Sequence, residues 1–422
     1  MDYISRVRAI SHANLISLIV LLLLPFAASS AKEKIGTADR ALPGQEVSWA
    51  MERGLERKQE NSGTVGQKVN ETTEQELEQE KEREKEKEQE KKEKELEQEE
   101  EQEKRMAVVE LSTIYMRQSP DYESALETQE LMGTVVEIAG EKGYWREIIS
   151  PQPYRAWATE KGLVEMTKEE LDIYRMATKV MFTGLYGHIH ISPSENSGTV
   201  CDLVGGDILR LAEPQVAVKR NRLKGRWVEV MLPSGLKGFV QSEDLKLHDG
   251  FISIAQGEGD ADSVDDETTE KVIEQAFRLV GSPYLWGGMS SKGVDCSGLV
   301  RISYIMNGIL LPRNASQMIN CGERVVMELD KSFWDETVRS KDITALRTEM
   351  ERRISNLQRG DLVFFGTPSA VPGGKDRITH VGIYLGNGEM IHSSHMVRKN
   401  SLYPDSDIYY ENSWRLIGAV RL

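Results

Sequence analysis

The chain has 422 residues and a formal net charge of −15, with 68 acidic residues against 53 Lys and Arg. This length exceeds one ordinary domain and favours two or three. The acidic balance, with no stretch that gathers enough Lys and Arg into a basic surface, argues against a nucleic-acid partner.

The first residues have the pattern of a targeting segment. Arg6 and Arg8 precede an apolar run at residues 15–24, Pro25 breaks that run, and small residues follow at 27–31. The run is shorter than the roughly 20 residues that a membrane-spanning helix needs. The pattern predicts a signal peptide at residues 1–31 and export of the rest of the chain to the periplasm or cell envelope. An uncleaved N-terminal anchor is the alternative.

A charged segment follows the targeting segment. Residues 32–70 are polar without periodicity, and residues 70–104 are almost only Glu, Lys, Gln and Arg. Such a composition cannot bury an apolar face, so we predict a disordered and charged stalk at residues 32–105. Glu and Lys at four-residue spacing would support a solvated helix within it, whereas a two-stranded coil lacks the apolar positions it requires.

Short strand-like runs separated by turns then occur in two similar series. They occupy residues 106–167 and 180–248, and each contains a strand led by an aromatic residue, Trp145 and Trp227. Strands of this length and spacing predict two small β-barrels, whose layout resembles bacterial SH3-like domains. An acidic linker is predicted at residues 249–267, and one α+β domain at residues 268–422, beginning with an amphipathic helix.

Cys296 is the candidate nucleophile among three cysteines. A Gly-rich loop leads into Asp295, a good N-cap, and an apolar-periodic helix follows, so Cys296 falls in the first turn of that helix. The N-terminus of a helix favours the thiolate and is expected to lower the pKa of the thiol. A buried cysteine without chemistry is the alternative. Cys201 lies in an apolar run typical of a core residue, and Cys321 has no chemical context.

Two histidines flank a predicted β-hairpin. His380 begins one strand, the turn Gly386-Asn387-Gly388 follows, and His392 lies on the returning strand. A three-residue loop centred on Gly386 would place the two histidines directly opposite each other, with His380 as the base and His392 orienting its ring. A slip of one residue would put them on opposite faces. Metal ligation is the alternative, but no further ligand spacing completes a zinc set, so we predict no metal and no cofactor.

Four motifs in order carry a specific resemblance. They are the segment 283–288 (PYLWGG), the segment 295–300 (DCSGLV), the segment 360–365 (GDLVFF) and the segment 380–384 (HVGIY). Together they resemble the NlpC family of papain-like cell-wall cysteine peptidases, over the whole C-terminal domain. The resemblance implies an α+β papain-like domain preceded by two SH3-like barrels, with Cys296 as nucleophile, His380 as base and acid, and His392 orienting the ring.

The resemblance also implies a substrate. Family members with tandem SH3-like domains cleave the bond between γ-D-glutamate and a diamino acid such as diaminopimelate in peptidoglycan stem peptides, and many require a free N-terminal L-alanine. The residues that the resemblance places against substrate are Asp295, Ser297, Tyr154, Tyr284, Asn314 and Ser316. Asp295 has the competing role of a simple N-cap, and Asn314 stands where an aspartate is common.

Two features leave alternatives open. The 84 residues from Cys296 to His380 exceed the family's usual spacing, which predicts an insertion near the site at residues 327–354 with a helix in it. A peptidoglycan-binding protein with an inert peptidase domain, or an acyltransferase using the same three residues, would carry the same motifs. Association with the cell wall is expected in each case, and the sequence does not fix the oligomeric state.

Overall fold

A computed structural model describes residues 83, 87, 104–219, 222–254, 264–327, 342–369, 371 and 374–422. The predicted signal peptide, nearly all of the predicted stalk, and parts of the predicted linker and insertion lie outside these residues. None of the helices within the described ranges is long and apolar enough to cross a membrane.

The first module is a seven-stranded antiparallel sheet with the order β3-β2-β6-β5-β4-β1-β7. Alternate residues such as Val136, Ile138 and Ile148 are buried, because side chains of a strand point to its two faces in turn. The strands are β1 (Arg105–Val109), β2 (Thr113–Arg117), β3 (Leu126–Leu131), β4 (Val135–Lys142), β5 (Trp145–Ser150), β6 (Tyr154–Thr159) and β7 (Leu163–Met166).

Helix α1 (Lys168–Met176) leads to the second module. Thr167 and Glu170 form a capping box at its start, which satisfies backbone N–H groups that the helix leaves unpaired. The second module is another seven-stranded antiparallel sheet, with the order β10-β9-β15-β14-β11-β8-β16. The SH3-like identity of both sheets stays a prediction. The elements are β8 (Lys179–Phe182), β9 (Tyr186–His190), β10 (Thr199–Val204), β11 (Ile208–Leu211), α2 (Pro214–Ala217), β12 (Val218–Lys219), β13 (Arg222–Leu223), β14 (Trp227–Met231), β15 (Lys237–Gln241) and β16 (Leu245–His248).

The C-terminal domain packs helices against a six-stranded antiparallel sheet of the order β21-β26-β22-β23-β24-β25. Its elements are β17 (Ile252–Ser253), α3 (Asp266–Arg278), β18 (Met289–Ser290), β19 (Gly293–Val294), α4 (Cys296–Ile305), β20 (Ile309–Leu310), α5 (Ala315–Met318), β21 (Glu323–Arg324), α6 (Ile343–Arg353), β22 (Leu362–Thr367), β23 (Arg377–Gly386), β24 (Glu389–Ser394), β25 (Met396–Ser401) and β26 (Leu416–Arg421).

Helix α4 is the centre of this domain. All ten of its residues are buried, and its apolar side chains share one core cluster with those of α3, β22 and β23. Leu131 of the first sheet and Met181 and Val204 of the second belong to the same cluster. Both sheets are therefore packed against the C-terminal domain by apolar burial, which is the main favourable term in such an interface.

Candidate active site

Cys296 is the first residue of α4, as the sequence predicts. The Asp295 side chain caps the helix, because its Oδ1 accepts a hydrogen bond of 2.7 Å from the Gly298 N–H. Backbone groups of Ser297 and of Val381 also hydrogen-bond the Cys296 thiol. Val381 follows His380 in β23, so the strand that carries the histidine runs beside the sulfur.

The predicted lowering of the Cys296 pKa is wrong for the free site. Burial raises the pKa of the thiol to about 11, and the nearby charge of Asp295 raises it further. The hydrogen bonds from Ser297 and Val381 and the charge of Arg313 lower it, as a helix start should, but burial is the larger effect. The thiol therefore rests protonated, and the nucleophile has to be made by proton transfer within the site.

The two histidines lie on one face of the hairpin, but in a different register from the predicted one. Asn387 and Gly388, with φ of 53° and 75°, form a two-residue turn, and the pairing shifts between Tyr384 and Gly386. Left-handed φ at both positions suits the Asn-Gly pair and matches the strand twist. Ile383 pairs with Ile391, so the register places His392 opposite Gly382 and diagonal to His380. The offset from the prediction is two residues, which keeps both rings on the same face.

The diagonal arrangement creates a chain of hydrogen bonds. His380 Nε2 lies 2.7 Å from His392 Nδ1, and His392 Nε2 lies 2.9 Å from Asn400 Oδ1 on β25. His392 and Asn400 are buried. Burial lowers the pKa of His380 to about 3 and that of His392 to about 4, and the positive charges of Arg415 and Arg398 act in the same direction. Both rings are therefore neutral at pH 7.

A wall of aromatic rings covers the histidine pair. The Tyr410 ring lies 4.8 Å from that of His392 and 5.7 Å from that of His380, and Phe365 contacts both Tyr410 and His380. Helix α6, which the predicted insertion contains, supports this wall, since Met350 belongs to the core cluster that holds Phe365 and Tyr410. Residues 328–341 of the insertion lie outside the described part of the chain.

Arg313 is a buried cation that the sequence did not single out. Its guanidinium pairs with Asp295 at 2.6 Å and 3.2 Å, donates to Ser297 Oγ at 2.8 Å and donates to Thr128 Oγ1 at 2.7 Å. The Asp295 carboxylate also accepts hydrogen bonds from the Gly287 N–H, the Gly298 N–H and the Ser297 hydroxyl. Asp295 is therefore fully engaged as an N-cap and as the partner of Arg313, and its contact with substrate stays a prediction.

Strand β3 of the first sheet forms one side of the site. Thr128 contacts Arg313, Gln129 Oε1 accepts a hydrogen bond of 2.8 Å from the Met289 N–H, and Glu130 pairs with Arg301 at 3.4 Å. All three β3 side chains are buried. Gln129 therefore holds the loop that precedes Cys296, whereas Thr128 and Glu130 hold two arginines that follow Cys296 in the chain.

Tyr154, predicted to close the site, lies on the first sheet beside Glu127. Its hydroxyl donates a 2.6 Å hydrogen bond to Glu127 Oε2, and burial with this carboxylate raises the pKa of Tyr154 to about 12. The Asn314 side chain also hydrogen-bonds the Tyr154 hydroxyl. A Cβ at Gly287, whose φ is +75°, would meet the Glu127 backbone at about 3 Å, so glycine lets the catalytic-domain loop approach this strand. Glu127, Tyr154 and Asn314 thus form one cluster.

Tyr284 and Ser316, which are also predicted to contact substrate, differ in their surroundings. Tyr284 lies near the nucleophile, since the charges of Cys296 and Asp295 and burial all raise the pKa of its hydroxyl. Ser316 is exposed on α5, and no described side-chain contact joins it to the other site residues. Its role in binding stays a prediction.

Sequence reasoning missed Glu127, Arg313, Asn400 and Tyr410. Arg313 directly follows the apolar residues Leu310, Leu311 and Pro312, and a charged residue at the end of that run was the available signal. The other three have no local signal, because their partners are between 8 and 27 residues away or on another module. No group of three or more His, Cys, Asp or Glu side chains in the described ranges is arranged to hold a metal ion.

Comparison with known proteins gives concordant results. The sequence model of the NlpC/P60 family matches residues 281–415. The chain is 27% identical to the gamma-D-glutamyl-L-lysine dipeptidyl-peptidase of Bacillus cereus, over 66% of this chain and 70% of that protein. It is 26% identical to the Bacillus subtilis protein of the same name, over 68% of this chain and 79% of that protein. A crystal structure of an NlpC/P60 family protein from Bacillus cereus superposes with a TM-score of 0.54 at 22% identity, covering 75% of this chain and 99% of that one. This last likeness concerns the fold.

Proposed function

Because the C-terminal part of this chain is an NlpC/P60 family domain, we propose that the protein is a cysteine peptidase of cell-wall peptides. Its substrate is a peptidoglycan stem peptide with a free N-terminal L-Ala, cut between γ-D-glutamate and the diamino acid. The observation that carries this proposal is that the Cys296 thiol on α4 hydrogen-bonds the backbone of Val381, the chain neighbour of His380, whose ring pairs with that of His392. The names of the two Bacillus relatives support the bond.

The reaction follows the usual course of a thiol peptidase. His380 takes the proton of the Cys296 thiol as the sulfur attacks the γ-glutamyl carbonyl carbon. Backbone N–H groups at the start of α4 stabilise the oxyanion. The C–N bond breaks, His380 protonates the leaving amine, and a thioester remains. Water then attacks the thioester with His380 as base, which releases the L-Ala-γ-D-Glu carboxylate and restores the thiol.

Glu127 is the residue we assign to the free amine of the substrate. A cationic amine needs a carboxylate, and Asp295 is already paired with Arg313, while Glu130 is paired with Arg301. Glu127 is only partly buried, and the hydrogen bond it has in the structure is with the neutral hydroxyl of Tyr154. The Glu127 carboxylate can therefore bind the ammonium group of the substrate without breaking an existing ion pair.

Glu127→Gln tests that assignment. Hydrogen bonds to a charged group contribute about 1.5–3 kcal/mol, so we expect KM for L-Ala-γ-D-Glu-diaminopimelate to rise about tenfold to a hundredfold. The N-acetylated peptide, which lacks the cation, should be cut poorly and equally by both proteins. Glu123→Gln, at an exposed position of the same module, is the matched control and should behave as wild type. If Glu127→Gln kept the wild-type preference for the free amine, Glu127 would not be the residue that binds it.

The pH dependence should reflect the low pKa values of His380 and His392. Because burial lowers the pKa of His380 to about 3 and of His392 to about 4, both remain neutral as the pH falls through 6.5, the ordinary value. The acidic limb of the kcat/KM profile is therefore expected well below pH 6.5. Rates measured from pH 4 to pH 9, each checked by return to pH 7, would contradict this if activity fell with a midpoint near 6.5.

We also propose roles for the two sheets and for the N-terminal segment. The two seven-stranded sheets are SH3-like modules, of which the first contributes Glu127 and Tyr154 to the site. Residues 1–31 direct export to the periplasm or cell envelope, where the substrate is found. Fractionation of cells that express the full chain, followed by N-terminal sequencing, distinguishes a cleaved signal from a retained anchor and from a cytoplasmic protein.

A further inference from the structure

The buried polar groups behind His392 form a continuous path to a backbone carbonyl. Asn400 Oδ1 lies 2.9 Å from His392 Nε2, and Asn400 Nδ2 donates a 2.7 Å hydrogen bond to the Ile408 carbonyl. That carbonyl is held in place, since the Ser401 N–H also donates to it and Ser401 accepts from the Tyr410 N–H. His392 is fully buried and Asn400 is 6% exposed, so no bulk water competes for these bonds.

The direction of every hydrogen bond in this path follows from its fixed end. A carbonyl oxygen only accepts, so the Asn400 atom that faces Ile408 is the amide nitrogen, and the atom that faces His392 is the oxygen. That oxygen also only accepts, so His392 Nε2 carries a proton. In a neutral ring His392 Nδ1 is then an acceptor, and His380 Nε2 has to carry the proton between the two rings. His380 Nδ1 is left unprotonated.

We infer that Asn400 is a positioning residue that fixes the tautomers of both histidines and leaves His380 Nδ1 free to take the Cys296 proton. In the opposite tautomers His380 would have no lone pair for the thiol. The geometric part of this inference stands alone, and its kinetic part rests on the proposed peptidase function. A His380 ring held in the wrong tautomer cannot accept the thiol proton, so we expect loss of the Asn400 hydrogen bond to lower turnover strongly.

Among the groups around the histidine pair, Asn400 is the one that determines which ring nitrogens carry protons. Besides the effect of His392 on His380, the charged groups that affect the two rings are Arg398 and Arg415, and neither carries a carboxylate that could select a tautomer. Cys296 and Tyr410 are the other titratable groups near the pair. Burial raises the pKa of both, so both stay protonated. Among the described contacts of the histidine pair, the Asn400 oxygen is the acceptor whose role is fixed.

The direct test is nitrogen NMR of the full chain labelled with ¹⁵N-histidine. Protonated and unprotonated imidazole nitrogens have well-separated shifts, and His380→Gln and His392→Gln spectra assign the signals. We expect both rings to be protonated at Nε2 in the wild type at pH 7. A proton on His392 Nδ1 would overturn the inference, and this outcome does not depend on any enzymatic activity.

Two substitutions extend the test to catalysis. Asn400→Leu removes the acceptor at similar size and is expected to lower kcat about tenfold to a hundredfold with KM changed less than about twofold, since only the base is affected. Asn307→Leu, which also removes a side-chain bond to a backbone carbonyl, is the matched control. Wild-type kcat and wild-type tautomers in a folded Asn400→Leu protein would overturn the inference.

Asn400→Asp keeps the accepting oxygen and adds a negative charge. The charge stabilises the protonated rings, so the acidic limb of kcat/KM should move to higher pH while kcat at pH 8 stays within about tenfold of wild type. An unmoved limb would show that the side chain at position 400 is not coupled to the rings, and it would count against the inference. If the wild type cuts no wall peptide at all, the proposed function fails, and the NMR result still decides the tautomers.

Discussion

Replacing Cys296 by alanine is expected to lower kcat on L-Ala-γ-D-Glu-diaminopimelate by a factor of about 10⁴ or more, because no thioester can then form. The fold should be retained, since the change removes one sulfur at the start of α4 and leaves the Asp295 cap in place. Binding of the peptide should also survive, and isothermal titration with the inactive protein would measure it. The loss should therefore appear in kcat and not in affinity.

The other two cysteines provide the controls for this experiment. Cys201 lies on β10 of the second sheet and Cys321 is buried after α5, and neither contacts the histidine pair in the described structure. Cys201→Ala should cut the peptide at the wild-type rate. Residual turnover in Cys296→Ala within tenfold of wild type would mean that another group attacks the carbonyl, and the assignment of the nucleophile would be wrong.

Replacing Arg313 by methionine should be the most destabilising single change in the site. It leaves the Asp295 carboxylate buried without its cation, and breaking a buried ion pair from one side costs about 3–5 kcal/mol of unfolding free energy. Burial of both partners supports this size, because their side chains are 3% and 10% exposed. Activity should be lost together with stability, since the same carboxylate caps the helix that carries Cys296.

Two control variants distinguish the cost of an unpaired buried charge from the cost of lost side-chain packing. Asp295→Asn combined with Arg313→Met removes both charges, so the double variant should be more stable than Arg313→Met alone. Arg155→Met, at an exposed ion pair with Glu147, should change the unfolding free energy by about 1 kcal/mol or less. Urea unfolding monitored by fluorescence measures all three. Equal losses for Arg313→Met and Arg155→Met would contradict the described role of Arg313.

The features of the site that the sequence predicted are those that depend on residues close together in the chain. The Asp295 cap acts on Gly298, three residues along the chain, and the Asn387-Gly388 turn selects a hairpin through the φ angles of two residues. Local rules of this kind place Cys296 at a helix start and His380 and His392 on one hairpin. They do not fix the register: the two-residue turn and the irregular pairing near Leu385 together place it two residues from the predicted one.

The parts that escaped prediction depend on contacts between distant segments. Arg313 meets Thr128 from another module, 185 residues away, and Glu127 comes beside Gly287 because two modules pack together. The Cys296 pKa was misjudged for the same reason. The helix start was visible in the sequence, whereas the burial that outweighs it follows from tertiary packing. Long-range packing of this kind leaves no periodic or motif signal in a single sequence.

The proposed peptidase activity is tested by mass spectrometry of the products that the purified full chain forms in H₂¹⁸O. The peptides to supply are L-Ala-γ-D-Glu-diaminopimelate and its L-lysine counterpart, since both diamino acids fit the proposed class. We expect L-Ala-γ-D-Glu with one ¹⁸O in the new γ-carboxylate, together with the free diamino acid, because water resolves the Cys296 thioester. Intact peptide, or cleavage between L-Ala and D-Glu, would contradict the account.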